Sequence, residues 1–160
     1  MGKVLSIPEL KSFRESLREQ KKIIVFTNGV FDIIHRGHVE YLAKSKALGD
    51  VLIVGINTDA SVRRIKGDKR PVVSEGDRAF VVANLLPVDF VCLFDEDTPL
   101  NLISAIVPDI LVKGADWKVD DIVGKEVVKK AGGKVITIDF IPDRSTTSII
   151  DRVLERFGPR

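Results

Sequence analysis

Residues 23–42 read IIVFTNGVFDIIHRGHVEYL, and this stretch decides how the rest of the chain is understood. Ile23-Ile24-Val25-Phe26 is a short apolar run, and Thr27-Asn28-Gly29 is small and polar. Asp32, His35, Gly37 and His38 follow, and an amphipathic pattern begins after them. The succession predicts a strand, a turn and a helix whose first turn carries both imidazoles. In an open α/β sheet, ligands bind where the carboxyl end of a strand meets the amino end of the next helix. The chain has two histidines, and both lie in this stretch.

His35 and His38 stand three residues apart, so on a helical turn they reach one target. A helix amino terminus adds free N–H groups and partial positive charge, which suits an anion. Gly37 leaves room for a ligand to approach the backbone. These features fit stabilisation of charge on a phosphate during transfer, where positioning and electrostatics supply most of the catalysis. Metal binding is the plainer reading of a histidine pair. Zinc helices of the HExxH type space their histidines by four, however, and with one cysteine only carboxylates would remain as further ligands. No protein metal site is therefore expected.

The length of 160 residues predicts one domain, 1–160, with an amino-terminal helix (1–21) packed on it. A chain of this size buries roughly 70% of its unfolded surface and needs no disulfide or metal staple. Apolar residues make up 44% and charged residues 30%, and the net charge of +2 gives no argument for nucleic-acid binding. Cys92 lies in the apolar run Phe90–Phe94 and reads as a small core residue, consistent with a reducing cytoplasm. No signal peptide is visible, and no run reaches the ~18 apolar residues that a bilayer span needs.

Ser6, Pro8 and Glu9 mark a helix start, and Leu10, Phe13 and Leu17 form its stripe to about Gln20. Val51–Ile56 is apolar on both faces, as a central parallel strand must be, and Gly49 is expected to end the helix before it. A short helix then follows a cap at Thr58–Ser61. Residues 62–71, VRRIKGDKRP, hold five cations: a phosphate clamp or a solvated basic loop. Ser74–Leu86 is a capped helix, and Val88–Phe94 a third strand. Asp95-Glu96-Asp97 precede Thr98, the expected cap of a helix over Pro99–Ile106, and the acids suit that helix's amino end better than a metal. Ile110–Lys113 is a fourth strand, with Lys113, Gly114, Asp116 and the single tryptophan, Trp117, at its carboxyl edge. Trp117 reads either as cover for a sugar or base or as structural rim. A helix is expected over Val119–Ala131 with its stripe broken by Gly124, and a fifth strand over Lys134–Phe140. Pro142-Asp143-Arg144-Ser145-Thr146-Thr147 open a last helix, either as a second anion site or as a multiply capped terminus.

The segment FTNGVFDIIHRGH resembles the signature of the HxGH nucleotidyltransferases, in their cytidylyltransferase-like branch. The resemblance implies an α/β Rossmann-like three-layer sandwich with a five-stranded, mainly parallel sheet. It also implies transfer of a nucleotidyl group from a nucleoside triphosphate to a phosphorylated acceptor, releasing pyrophosphate. LIVGINTDASVRRIKGDKRPV, FDEDTPLNLI, PDILVKGADW and DRSTTSII extend the likeness, from about Val4 to Arg152, to adenylyltransferases that make ADP-activated heptose. In many bacteria that activity is one half of a bifunctional protein with a sugar kinase, and the chain resembles a stand-alone version. Arg144 departs from the isoleucine that cytidylyltransferase relatives carry before the serine, and Val30 from their cysteine or threonine.

Carried over residue by residue, the resemblance gives His35, His38 and Lys66 catalytic roles on the phosphates. It places Thr27, Asn28, Gly29 and Phe31 in the nucleotide pocket, and Arg144, Ser145, Thr146 and Thr147 on the pyrophosphate end. Asp32, Asn57, Lys113, Asp116 and Trp117 are its candidates for the acceptor. It implies Mg²⁺ accompanying ATP, a sugar 1-phosphate as partner, no nucleic acid or membrane, and a cytoplasmic protein. A homodimer and a separate sugar kinase in the same pathway are expectations by likeness. The competing expectations are a glycerol-phosphate or other phosphate-acceptor cytidylyltransferase using CTP, and a non-catalytic nucleotide-binding module on the same fold.

Overall fold

The computed structural model describes residues 2–139 and 144–158. Phe140 of the expected fifth strand, and Pro142 and Asp143 ahead of the last helix, lie outside the described residues. In chain order the elements are β1 (Lys3–Val4), α1 (Ile7–Glu19), β2 (Ile24–Gly29), α2 (Arg36–Lys46), β3 (Val51–Asn57), α3 (Asp59–Lys66) and α4 (Glu75–Ala83). Then come β4 (Phe90–Phe94), α5 (Leu100–Ile106), β5 (Ile110–Gly114), a 3₁₀ turn (Val119–Asp121), α6 (Lys125–Lys130), β6 (Lys134–Ile138) and α7 (Thr146–Phe157).

The strands form one six-stranded sheet in the order β1-β4-β3-β2-β5-β6, and every pairing is parallel. Five mainly parallel strands were expected. The sixth, β1, is two residues long and pairs Lys3 and Val4 with Phe90 and Val91. A two-residue edge strand is too short to carry an alternating pattern, so it has no signal of its own.

Alternate residues of the strands feed two cores. Ile24, Phe26, Ile53, Cys92 and Leu111 pack against Leu10 of α1, Leu102, Ile103 and Ile106 of α5, and Val128 of α6. Val25, Leu52, Val54, Val91 and Val112 pack against Tyr41 and Leu42 of α2 and Ala79, Val82 and Ala83 of α4. Helices therefore cover both faces, and every residue of β3 is buried, which is why its sequence carries no polar side chain from Val51 to Ile56.

The order reverses at β2. The chain steps from β2 to β3 and β4 on one side, then crosses to β5 and β6 on the other. The carboxyl ends of β2 and β5 thus flank a topological switch point, where open α/β sheets leave a crevice for ligands. Lys113, at the end of β5, donates across it to Oδ1 of Asn28 on β2 at 2.5 Å.

Several local expectations shift. Helix α2 ends at Lys46 rather than at Gly49, where a Cβ would sit 2.7 Å from Val25 Cγ2 and 2.8 Å from Ile23 Cγ2. Helix α5 begins at Leu100, with Pro99 and not Thr98 at its cap. Two of the three acids before it serve α3: Asp95 pairs with Arg64, and Asp97 accepts from Arg64 Nε at 2.8 Å, while Glu96 accepts from Asn101 in the first turn of α5 at 2.8 Å. The helix expected over 119–131 is cut in two, because Gly124 adopts φ 87° and a Cβ there would lie 2.6 Å from Ile103. Arg63, Arg64 and Lys66 belong to α3, so the basic stretch is half helix and half loop.

Candidate active site

His35 is the residue just before α2, in extended conformation, and His38 lies in the first turn. The turn closes through the His38 N–H donating to the His35 carbonyl at 2.9 Å. Both imidazoles therefore stack, with ring centroids 3.9 Å apart and planes 25° from parallel. Gly37 is the reason they can: a Cβ at that position would stand 3.0 Å from Cε1 and Nδ1 of His35. The space that glycine leaves is taken by the imidazole rather than left open to a ligand.

Phe31 buttresses the pair. Its backbone is left-handed (φ 50°), an uncommon conformation for a bulky residue, and this sets its ring 5.3 Å from His38. The ring lies so close to Gly29 that a Cβ there would meet it at 3.1 Å. Burial pushes the His38 pKa down to about 4, with the neighbouring His35 acting in the same direction. Burial also lowers the His35 pKa, helped by the Arg144 charge. Both rings are thus neutral at pH 7. Nδ1 of each is buried without a partner among the described residues.

Facing the pair across a cavity of about 400 Å³ are Lys66 of α3, Arg70 of the following loop, and Arg144, Ser145, Thr146 and Thr147 at the start of α7. A Cβ at Gly37 would touch Arg144 Cβ at 3.3 Å, so the two motifs, more than a hundred residues apart, are in contact. The α7 hydroxyls divide their work: Ser145 Oγ accepts from the Ser148 N–H at 3.0 Å, and Thr146 reaches the Ile33 carbonyl at 3.5 Å. Thr147 is exposed.

A second cavity of about 570 Å³ adjoins the first and shares Val30 and Lys66 with it. Asn28, Gly29, Asn57, Lys113 and Trp117 line it. Asn57 donates to Ser61 Oγ at 3.0 Å. Burial lowers the Lys113 pKa to about 8 against the opposing pull of Asp116, and its ammonium lies 5.6 Å from the Trp117 ring. Trp117 is half exposed, and Asp116 falls to the first cavity.

Two predicted site residues are placed elsewhere. Thr27 is fully buried beneath the site, its hydroxyl 2.8 Å from the Tyr41 hydroxyl. Asp32 is also buried, and its carboxylate accepts from Arg70 Nε (2.7 Å), Val72 N–H (2.9 Å) and Val73 N–H (2.8 Å). Burial alone would raise its pKa, but the Val73 and Val72 N–H groups and Arg70 outweigh it and hold the carboxyl below its ordinary range. Asp32 is therefore committed to the 70–73 loop and has no free face for an acceptor. Arg78, not foreseen from the sequence, is the matching buried cation: it donates to the carbonyls of Val73, Val30 and Asn57 and to Asp59. A lone arginine in an otherwise apolar helix stripe was the signal available for it. Arg70 lay within the basic run, but nothing local linked it to Asp32.

Among the described residues, no group of three histidine, cysteine, aspartate or glutamate side chains is disposed to hold a metal ion. No described helix is long and apolar enough to cross a membrane.

Residues 26–152 match the family described as cytidylyltransferase-like. The bifunctional protein HldE of Geobacter metallireducens is 49% identical over 157 residues, covering 98% of this chain and 32% of that protein. That of Campylobacter concisus is 54% identical over 151 residues, 94% of this chain and 31% of its own. The chain thus spans about a third of the length of these relatives. Among solved structures, the lipopolysaccharide core biosynthesis protein of Thermoplasma volcanium is 34% identical, with a TM-score of 0.62 over 75% of this chain and 97% of that one. Pantoate-beta-alanine ligase of Francisella tularensis shares the fold, at 17% identity and a TM-score of 0.64 over 97% of this chain and 78% of that one.

Proposed function

The chain belongs to the cytidylyltransferase-like family, and from that premise we propose that it moves AMP from ATP to a heptose 1-phosphate, giving ADP-heptose and pyrophosphate. The observation that carries this reading is the stacked, neutral imidazole pair at the start of α2, facing the cations and hydroxyls of Lys66, Arg70 and the α7 terminus across one cavity. The roughly 50% identity to bifunctional HldE proteins supports the sugar and the nucleotide.

An oxygen of the acceptor phosphate attacks the α-phosphorus of ATP. The bond from that phosphorus to the bridging oxygen breaks, and its electron pair leaves with pyrophosphate. Charge builds on the equatorial oxygens, where neutral imidazole N–H groups and the α2 terminus donate hydrogen bonds to it. The acceptor phosphate has its second pKa near ~6 and is already mostly ionised, so no strong general base is required. Mg²⁺ bound to ATP would shield the charge of the triphosphate. Arg144, Thr146 and Thr147 hold the β and γ phosphates at the α7 end, and Lys66 spans the two cavities. Asn57, Lys113 and Trp117 line the space for the sugar. The reading places the reaction in the cytoplasm, with a sugar kinase supplying the sugar phosphate and the chain working as a homodimer.

A pyrophosphate-release assay pairing ATP and CTP with heptose 1-phosphate and glycerol 3-phosphate tests the reading. Release with ATP and heptose 1-phosphate is expected. Release only with CTP and glycerol 3-phosphate would replace it with the alcohol-phosphate cytidylyltransferase. ATP binding without release for any acceptor would leave a nucleotide-binding module.

A further inference from the structure

We propose that Arg70 grips the phosphate of the acceptor and that Asp32 is the residue that positions it. This rests on the reading of the site as a nucleotidyltransferase and adds to it the residue pair that receives the incoming phosphate.

The cavities define the direction of the reaction. The central cavity shares His35, Arg144 and Ser145 with a third one, of about 340 Å³, beside α7. It shares Val30 and Lys66 with the 570 Å³ cavity, which has no lining residue in common with the one beside α7. In a displacement at phosphorus the entering and leaving oxygens stand roughly in line, on opposite sides of the reacting atom. The α7 end, with its hydroxyls and free N–H groups, suits the departing pyrophosphate. The entering phosphate therefore comes from the side of Lys66 and the loop that follows it.

Arg70 lies on that loop and lines the central cavity. Of the nearby cations, Arg64 is taken by Asp95 and Asp97. Lys66 is exposed. Arg70 differs from both: its side chain is 18% exposed, and its Nε donates to Asp32 Oδ2 at 2.7 Å. Neither terminal nitrogen of Arg70 donates to a protein atom among the described residues. A guanidinium fixed through Nε keeps its two terminal nitrogens as a rigid fork, matched to two oxygens of a phosphate monoester. Asp32, fully buried, is itself immobilised by the N–H groups of Val72 and Val73. A buried carboxylate is costly unless its donors are supplied, and here the supply comes from the loop that it orients. Asp32 stands three residues before His35, so the same turn sets the imidazole pair and the arginine fork.

Calorimetric titration separates this role from a purely structural clasp. Heptose 1-phosphate and glycerol 3-phosphate are titrated into protein saturated with Mg²⁺ and a non-hydrolysable ATP analogue, and the analogue is titrated alone. Arg70→Ala is expected to weaken the phosphate esters about tenfold or more while the analogue changes less than about threefold. Arg70→Lys should recover only part of the loss. Asp32→Asn should weaken the esters when Arg70 is present and add nothing in an Arg70→Ala background, with melting curves confirming that each variant is folded. Unchanged ester binding in Arg70→Ala, equal loss of ester and analogue, or an additive Asp32→Asn effect overturns the proposal. If wild-type protein releases pyrophosphate while Arg70→Ala keeps its ester affinity, this proposal alone fails. Wild-type protein that binds neither ester fails both.

Discussion

Burial makes weak bases of His35 and His38, and this has consequences for both stability and turnover. The His38 pKa of about 4 lies below the ordinary value of 6.5, so between those values the unfolded chain binds the proton that the folded one refuses. Its contribution to stability is present above pH 6.5 and is lost as the pH falls through 4. His35 acts in the same direction. Melting temperatures measured from pH 7 to 4.5 should therefore fall more steeply in wild type than in His38→Gln, and parallel curves would contradict the burial assigned to the ring. For turnover, His35→Ala and His38→Ala should each lower kcat by about 10²-fold or more, the scale seen when a donor to developing charge is removed. The fold should survive, because neither ring makes a hydrogen bond to the protein among the described residues. Pyrophosphate release from each variant decides it, and an undiminished rate would remove that histidine from the mechanism.

At the scale of elements, Gly37 separates helix stability from site geometry. Alanine inside a helix is favoured over glycine by about 1 kcal/mol. Yet a Cβ at position 37 would press on the His35 ring at 3.0 Å. Gly37→Ala is thus expected to leave the melting temperature near or above that of wild type and to cut kcat by about tenfold or more, through displacement of one imidazole. A rate equal to wild type would mean that the ring position does not matter. The same contrast explains what could be read in advance. Signals confined to a few residues were legible: the apolar runs of β2 and β3, the caps at Thr58, Ser74 and Ser145, and the paired histidines. Features that depend on a distant partner were not. Asp32 reads as a free carboxylate until Arg70, 38 residues on, is brought to it. Asp95 and Asp97 look like capping residues until Arg64 arrives from α3. Thr27 reads as a ligand-facing residue until Tyr41 is packed against it.

Across the whole molecule, a net charge of +2 conceals a strong local imbalance. The parallel sheet brings its carboxyl ends to one edge, and that edge collects Lys66, Arg70, Lys113 and Arg144 around two joined cavities. Asp32 pairs with Arg70 and Asp116 acts on Lys113, so Lys66 and Arg144 carry the charge left for a bound triphosphate. A ligand held only by the folded state stabilises it by about 2.7 kcal/mol at a hundredfold excess over its Kd. For a domain of this size that corresponds to a rise of roughly 5–10 °C in melting temperature with Mg²⁺ and ATP. Because the attraction is electrostatic and partly open to solvent, screening should weaken it: the Debye length falls from ~10 Å at 0.1 M salt to ~3 Å at 1 M. At fixed ATP the thermal shift should therefore shrink as sodium chloride is raised over that range. It should shrink less in Arg144→Ala, which has one fewer cation at the triphosphate end. A shift that ignores salt would put the nucleotide away from this edge of the sheet, and with it the stacked imidazoles would lose their phosphate.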